Sequence, residues 1–385
     1  NGGNNANRIA IWNGWHWSAL GTGCNNTVHA VGVFNNQIVA GGDFTSAGGT
    51  AANHVARWTG SAWLPLGTGT TGGVPAGRVS AFHLFNGELV AGGSFTVAGG
   101  ASVNCVARWN GSTWNALGTG MALGGNSPRV QCLEVFSGQL YAGGLFDHAG
   151  GITANHIARW NGSAWNDVGP ALGGDGTDGL VRCMAVHQSA LYVGGSFTEV
   201  PINFGTMSAA GIARWTGTAW QSLDGGIAGS TIAGIAPFDN DNLIVGGFFP
   251  GAFNSLAMWN ASTENWEALA DGGINSGSVQ SMIFYDHPYA GEYVIVGGAY
   301  TGAGGLAVTN LMQVLDPSEN FYPVESPMWP DTFALLGPWL VVAGYGSQVT
   351  PTGVADNILL WDGVAMSPLG GGANGWLATM VTKPG

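Results

Sequence analysis

Short apolar runs recur along the whole chain, with side chains alternating between apolar and polar, and each run is closed by Gly, Asn, Thr or Ser. Strict alternation over four to eight residues is the signature of a half-buried β-strand. In one copy, Val79-Ser-Ala-Phe-His-Leu-Phe85 reads as strand a and Glu88-Leu-Val-Ala-Gly-Gly-Ser-Phe95 as strand b. A Gly-rich loop over 96–104 follows, then strand c over 105–109 and strand d over 114–117. Asn86-Gly87 and Ser137-Gly138 predict tight a–b hairpins, and Asn-Gly or Thr-Gly between c and d predicts two-residue turns of the same kind. No stretch keeps a 3.6-residue apolar period, so almost no helix is expected.

The same words return at intervals. His54-Val-Ala-Arg-Trp-Thr-Gly-Ser-Ala-Trp63, Cys105-Val-Ala-Arg-Trp-Asn-Gly-Ser-Thr-Trp114, His156-Ile-Ala-Arg-Trp-Asn-Gly-Ser-Ala-Trp165 and Gly211-Ile-Ala-Arg-Trp-Thr-Gly-Thr-Ala-Trp220 are near copies. The anchors are Trp12, Trp58, Trp109, Trp160, Trp215, Trp259, Leu315 and Trp361. A period of about 50 residues is that of a propeller blade. The pattern therefore predicts an all-β fold, a β-propeller of four-stranded antiparallel blades forming one domain over 1–385.

One four-stranded sheet cannot bury both faces, and stacking around an axis solves this. The strand-b pairs Gly41-Gly42, Gly92-Gly93, Gly143-Gly144, Gly194-Gly195, Gly246-Gly247 and Gly297-Gly298 would let sheets approach closely, with the strand-c Trp filling the wider space farther out. Asn7, Asn53, Asn104, Asn155, Asn310 and Asn357 precede strand c and read as turn residues. The chain opens on a c–d pair over 8–20, runs through seven a–b–c–d units and closes on a lone strand a over 376–382. That is one strand short of eight blades. The expectation is an eight-bladed ring whose last blade is shared by both termini and lacks strand b. A seven-bladed ring with loose ends is the alternative.

Composition narrows the partners. The 385 residues carry a net charge of −13, with nine basic residues and only 8% charged residues against roughly 25% in ordinary domains. Such a surface repels phosphate backbones, which sets nucleic acid aside. Lys occurs only as Lys383. The arginines fall at repeat-equivalent places, a structural use that leaves no basic patch for anionic lipid. No apolar run reaches 18 residues, so membrane insertion by a helix is not expected. Asn1-Gly2-Gly3-Asn4 reads as mid-loop, as in a processed chain. Few charges and many Asn, Thr, Ser and Gly suit an extracellular or cell-surface protein.

The words Ile-Ala-Arg-Trp-Asn-Gly-Ser-Ala-Trp and Leu-Tyr-Ala-Gly-Gly-x-Phe resemble the kelch-like propeller repeats of secreted bacterial proteins. They are also similar to the propeller of fungal cortical cell-polarity marker proteins. The resemblance runs from Arg8 to Thr382 and implies a binding or scaffolding role at the cell surface. Later repeats drift, with Leu315 replacing the Trp and Arg lost from strand c.

Catalytic marks are sparse. Asp-box turns, quinone-type Asp-x-x-Thr-Gly repeats, GxSxG, HExxH and phosphate-cradling loops are absent from the sequence. His54, Cys105 and His156 begin strand c in successive repeats, but blades hold such positions more than about 10 Å apart, too far for one metal with bonds of about 2.0–2.3 Å. His29, Ser80, Gln131 and Arg182 are equivalent positions on strand a and are expected to line a central channel as a polar ring. No cofactor is expected. Cys24, Cys105, Cys132 and Cys183 contain no CxxC pair. Cys132 and Cys183 are repeat-equivalent, and a bridge would need Cα atoms within about 7 Å. Free buried thiols are the favoured expectation. The segment Asp239-Asn-Asp-Asn242 reads as a turn, Asp175 and Asp178 as loop carboxylates, and the sequons at Asn25, Asn110, Asn161 and Asn260 mostly as hairpin turns.

The expected function is a non-enzymatic scaffold or protein-interaction subunit, with self-assembly through the open blade edge as one route. Alternatives are a carbohydrate- or peptide-binding module using the loops over 198–210 and 68–77, with Phe204 as a stacking residue, and a propeller hydrolase or oxidase.

Overall fold

The structure is a computed structural model that describes residues 7–12, 17–170, 176–249, 251, 253–269, 272–287, 291–303, 311–314, 321–323, 329–337, 339–345, 359–361 and 366–368. Among these residues, strands pair into seven four-stranded antiparallel sheets. Blade 2 is typical: strand a is Val28–Phe34, b Gln37–Gly42, c Val55–Trp58 and d Trp63–Pro65. Blade 3 begins with strands Val79–Phe85 and Glu88–Gly93, blade 4 with Arg129–Phe136 and Gln139–Leu145, and blade 5 with Val181–His187 and Ala190–Gly195. Blade 6 begins with Thr231–Pro237 and Asn242–Phe248, and blade 7 with Ile274–His287 and Gly291–Ala303. Neighbouring strands a touch in unbroken cyclic order around the axis.

Blade 1 corrects the expected closure. Its outer strands are Ile9–Trp12 and Trp17–Ala19, and its inner ones are Trp329–Leu336 and Trp339–Tyr345. Ile9 to Trp12 run antiparallel along Ala343 to Leu340. Strand b is thus present in blade 1, the edge expected to be open is filled, and the described circuit has seven sheets rather than eight. The surplus c–d pair, Leu359–Trp361 with Met366–Pro368, forms a two-stranded ribbon of its own. The expected lone strand over 376–382, and the repeat positions Asn310, Leu315 and Asn357, lie outside the described residues.

The Gly pairs act by close approach. A Cβ on Gly92 would lie 2.5 Å from Val130 Cγ1 of the next blade, and one on Gly143 would lie 2.4 Å from Val181 Cγ1. The second glycine faces its own sheet, where a Cβ on Gly93 would meet the Arg78 carbonyl oxygen at 2.0 Å. Each blade therefore receives the first apolar residue of the following strand a, and Val79, Val130, Val181 and Ile232 are fully buried there. Burying each such side chain contributes roughly 1.5–3 kcal/mol.

The strand-c Trp packs as expected, but a second Trp joins the blades. Trp109 and Trp114 lie with ring centroids 5.4 Å apart and planes tilted by 53°, and the pairs in blades 2, 4 and 5 match closely. The strand-d ring then donates its Nε1–H to a backbone carbonyl of the preceding blade. Trp63 reaches Leu20 at 2.7 Å, Trp114 Leu66 at 3.0 Å, Trp165 Leu117 at 2.9 Å, Trp220 Val168 at 2.9 Å and Trp266 Leu223 at 2.9 Å. The signal for the acceptor side is the repeated Leu-Gly-Thr-Gly after strand d, beginning at Leu20, Leu66 and Leu117. Its first glycine lies under the strand-c Trp of the next blade, leaving only 3.2 Å between a Gly67 Cβ and Trp109.

Two turn expectations change. The a–b hairpins of blades 2 to 5 are two-residue turns as expected, with positive φ in blade 3 of +51° at Asn86 and +78° at Gly87, whereas blade 6 leaves five residues between Pro237 and Leu243. The c–d connections are instead four-residue loops, because Trp109 pairs with Trp114 across residues 110–113. Asn110 Oδ1 accepts bonds from the Ser112 and Thr113 amides, a cap that a two-residue turn has no room for. Asn161 and Asn260 do the same, so these sequon side chains close hairpins. The Gly-rich loop over 96–104 also contains structure, a small ribbon of Val97–Ala98 against Ala101–Ser102.

Two outcomes follow. Trp114→Phe removes the indole bond to the Leu66 carbonyl, which keeps only the Gly69 amide, and shrinks a buried ring, so it is expected to lower unfolding stability by about 1–3 kcal/mol, whereas Gly100→Ala meets no neighbour and costs only the strain of a positive φ, so urea midpoints should rank the two in that order. His83 and Glu134 join strands a of blades 3 and 4 at 3.1 Å. Burial opposes the charged imidazole, but the Glu134 bond and charge outweigh it and raise the pKa above 6.5. A raised value means that the stabilisation is complete below about pH 6.5 and is lost as pH rises through the folded value. Glu134→Gln should therefore lower the melting midpoint below about pH 6, by the equivalent of about 0.5–1 kcal/mol for this part-exposed pair, and leave it unchanged above about pH 9.

Candidate channel-mouth site

In every blade strand a breaks register at one equivalent place, and blade 7 carries two further breaks near its start. The ladder slips between Val28 and Ala30, Val79 and Ala81, Val130 and Cys132, and Val181 and Cys183, and likewise in blades 6, 7 and 1. The residue left out of the ladder is His29, Ser80, Gln131, Arg182, Ala233, Gln280 and Asp331 in turn. A β-bulge re-aims the side chain it frees and bends the strand at a barrel rim. The four residues expected to line the channel are all bulge residues, and the bulge ring is completed by Ala233, Gln280 and Asp331.

On blades 1 and 2 this rim is an ionic chain. His29 Nδ1 lies 3.4 Å from Asp331 Oδ2, and His29 Nε2 lies 3.0 Å from Asp43 Oδ2. Asp43 also accepts two bonds from Arg78 of blade 3, Nε to Oδ1 at 2.7 Å and Nη2 to Oδ2 at 2.6 Å. Burial works to raise the Asp43 carboxyl, but the bonds from Arg78 and His29 outweigh it and hold it below the ordinary carboxylate range.

On blades 3 to 5 the rim is cationic. Arg78 precedes the buried Val79, Arg129 the buried Val130, and Arg182 follows the buried Val181. Burial, then the charges of Arg182 and Arg78, push the Arg129 pKa down. Arg129 and Arg182 have no ion pair or hydrogen bond among the described residues. A cavity of about 220 Å³ opens between Arg78 and Arg129, lined also by Pro75, Ser80, Ser94 and Gln131. Its wall is held by Ser94 Oγ–H donating to the Pro75 carbonyl at 2.7 Å. Two apolar residues stand at strand ends, one beside Arg129 and one on blade 6. Leu145 lies directly opposite Arg129 across the a–b ladder, and Phe248 ends strand b of blade 6 and is 62% exposed.

Arg78 and Arg129 are the residues the sequence expectation missed. They sit two positions before Ser80 and Gln131 and line the same cavity with them. The other candidates are committed elsewhere. His54 Nδ1 bonds the Gly42 carbonyl at 3.2 Å, His156 Nδ1 the Thr177 carbonyl at 2.9 Å, and Cys105 Sγ the Pro128 carbonyl at 3.2 Å. The four cysteines are free, and burial pushes the Cys24, Cys105 and Cys183 thiols up to about 12 and Cys132 well above its ordinary value. Asp239 accepts from the Asp241 and Asn242 amides and closes a turn, whereas Asp178 accepts from the Thr198 and Glu199 amides and ties its loop to the start of the ribbon after strand b. Asp175 lies outside the described residues. Asn53 and Asn104 donate from Nδ2 to the Thr68 and Thr119 carbonyls, fifteen residues on, and so tie the entry of strand c to the loop after strand d.

A family model described as "Domain of unknown function (DUF5122) beta-propeller" matches residues 35–59, the b–c part of blade 2. No curated protein matches the chain in sequence. Among solved structures, the chain is similar to the WD40 repeats of RRP9, at TM-score 0.50 and 12% identity over 85% of this chain and 86% of that one. It is also similar to the GH74 xyloglucanase from Xanthomonas campestris, at TM-score 0.51 and 16% identity over 86% of this chain and 53% of the enzyme. At such identities the likeness is one of fold, and the fold is the β-propeller.

Proposed function

We propose that this propeller is a non-enzymatic protein-interaction module that works outside the cell or at its surface. The observation that carries the binding role is the display of large apolar side chains on loops and a strand end, with Phe204 86%, Val74 67% and Phe248 62% exposed. Phe204 turns the ribbon of Glu199–Ile202 and Gly205–Ser208 with a φ of +69°. Blades 2, 3 and 4 turn the equivalent ribbon on Gly-Gly. A bulky residue in the left-handed region costs on the order of 1 kcal/mol or more, and nothing inside the fold uses this ring. Exposed apolar groups of this kind mark interaction surfaces.

The non-enzymatic reading is supported by the commitments of the titratable groups. Among the described residues, His54 and His156 are held by backbone carbonyls, His29 and His83 by carboxylates, and Asp178 and Asp239 by backbone amides. The extracellular placement is supported by the low charge content and the single lysine.

The test is retention of proteins from secreted and surface fractions by the immobilised chain and by its Phe204→Ser/Phe248→Ser double variant. Truncating an interface aromatic costs about 2 kcal/mol or more. A discrete set of partners should be held by the natural chain and reduced at least about tenfold by the variant. Identical retention would overturn the binding surface, and turnover of a glycoside or peptide panel would overturn the non-enzymatic reading.

A further inference from the structure

We infer that the channel-mouth cavity between Arg78 and Arg129 takes the carboxylate of an acidic residue from a partner polypeptide. This rests on the protein-interaction reading and names the chemistry of its partner.

The first argument is charge balance within an acidic protein. The chain has only nine basic residues against 22 acidic ones. The arginines outside the mouth are engaged: Arg8 with the Cys24 carbonyl, Arg57 with Gln37, Arg108 with Glu88, Arg159 with the Asp167 carbonyl, and Arg214 with Glu264. Arg78 and Arg129 nevertheless line one cavity, with Arg182 on the next blade, and of these three arginines only Arg78 is bonded to Asp43. Like charges held together in a part-buried site raise its free energy, which an entering anion lowers.

The second argument is donor geometry. A guanidinium presents a planar fork that matches a carboxylate with two parallel bonds. Arg78 already holds Asp43 in this way, and Arg129 brings the same fork with no carboxylate bonded to it among the described residues. Ser80 and Gln131 line the same cavity and add neutral donors.

The third argument is size and surroundings. About 220 Å³ is below the range of drug-sized ligand sites and suits one inserted side chain. The half-buried apolar Leu145, paired with Arg129 across the ladder, fits an apolar residue flanking the acidic one. A polypeptide supplies both chemistries in one chain, whereas a free anion uses only the arginines.

The experiment is calorimetric titration of the full chain with four probes: the blocked peptide acetyl-Leu-Glu-Phe-amide, its Gln counterpart, glutarate and inorganic phosphate. A charge-assisted bond lost from a part-buried site is worth about 1.5–3 kcal/mol, or roughly tenfold to a hundredfold in affinity. The Glu peptide should bind most tightly. It should weaken at least about tenfold on changing Glu to Gln and on Arg129→Gln, and stay unchanged in Arg108→Gln. The melting midpoint of Arg129→Gln should equal or exceed that of the natural chain, because a mutual repulsion is removed. Equal binding of both peptides, indifference to Arg129→Gln, or no binding of the Glu peptide up to about 10 mM would each overturn the inference. Phosphate or glutarate binding more tightly than the Glu peptide would also overturn it, in favour of a free-anion site. If Arg129→Gln still retained the partners lost by the Phe204/Phe248 double variant, this inference would fail while the interaction reading stood.

Discussion

The structure depends on the distance at which one blade meets the next. Two contacts set it. Near the axis, an apolar side chain of strand a enters the space above a glycine of the preceding sheet, where even a methyl group would collide. Farther out, the strand-d Trp donates its ring N–H to the end of the preceding blade. One contact is dispersion and hydrophobic burial, the other a directional bond in a buried setting. Together they define both the separation and the angle between sheets, and repeating them five or more times brings the ring round on itself.

Closure then follows from strand pairing rather than from any new contact type. The N-terminal hairpin lies along Trp339–Tyr345 and makes blade 1 from both ends of the described chain. A sheet edge presents a row of unpaired backbone groups and is satisfied by any strand that fits its register. Here two c–d hairpins of similar wording compete for one edge, and the N-terminal one occupies it.

The channel mouth is a by-product of the same geometry. Because each strand a bulges at the same residue, seven side chains are released from the ladders to one rim. Packing places few demands on them, so they are free to differ. Acidic and imidazole groups fall on blades 1 and 2 and pair, while arginines accumulate on blades 3 to 5. The result is a polarised rim on a protein whose overall charge is strongly negative.

By itself the sequence determined the repeat, the order of four strands, the spacing role of the glycine pairs and the equivalence of His29, Ser80, Gln131 and Arg182. These were legible because they are local periods of two and about fifty residues, and local sterics act on neighbours in the chain. It also contained, unread, the Leu-Gly-Thr-Gly words that accept the Trp bonds. Tertiary structure alone decided which hairpin completes blade 1, because the competing words are too alike for their composition to choose. It alone decided that Asp43 bonds Arg78 while Arg129 stays without a carboxylate. Those residues are 35 to 86 positions apart, and a Coulomb interaction depends on separation in space, which the bulges and the closing of the ring set.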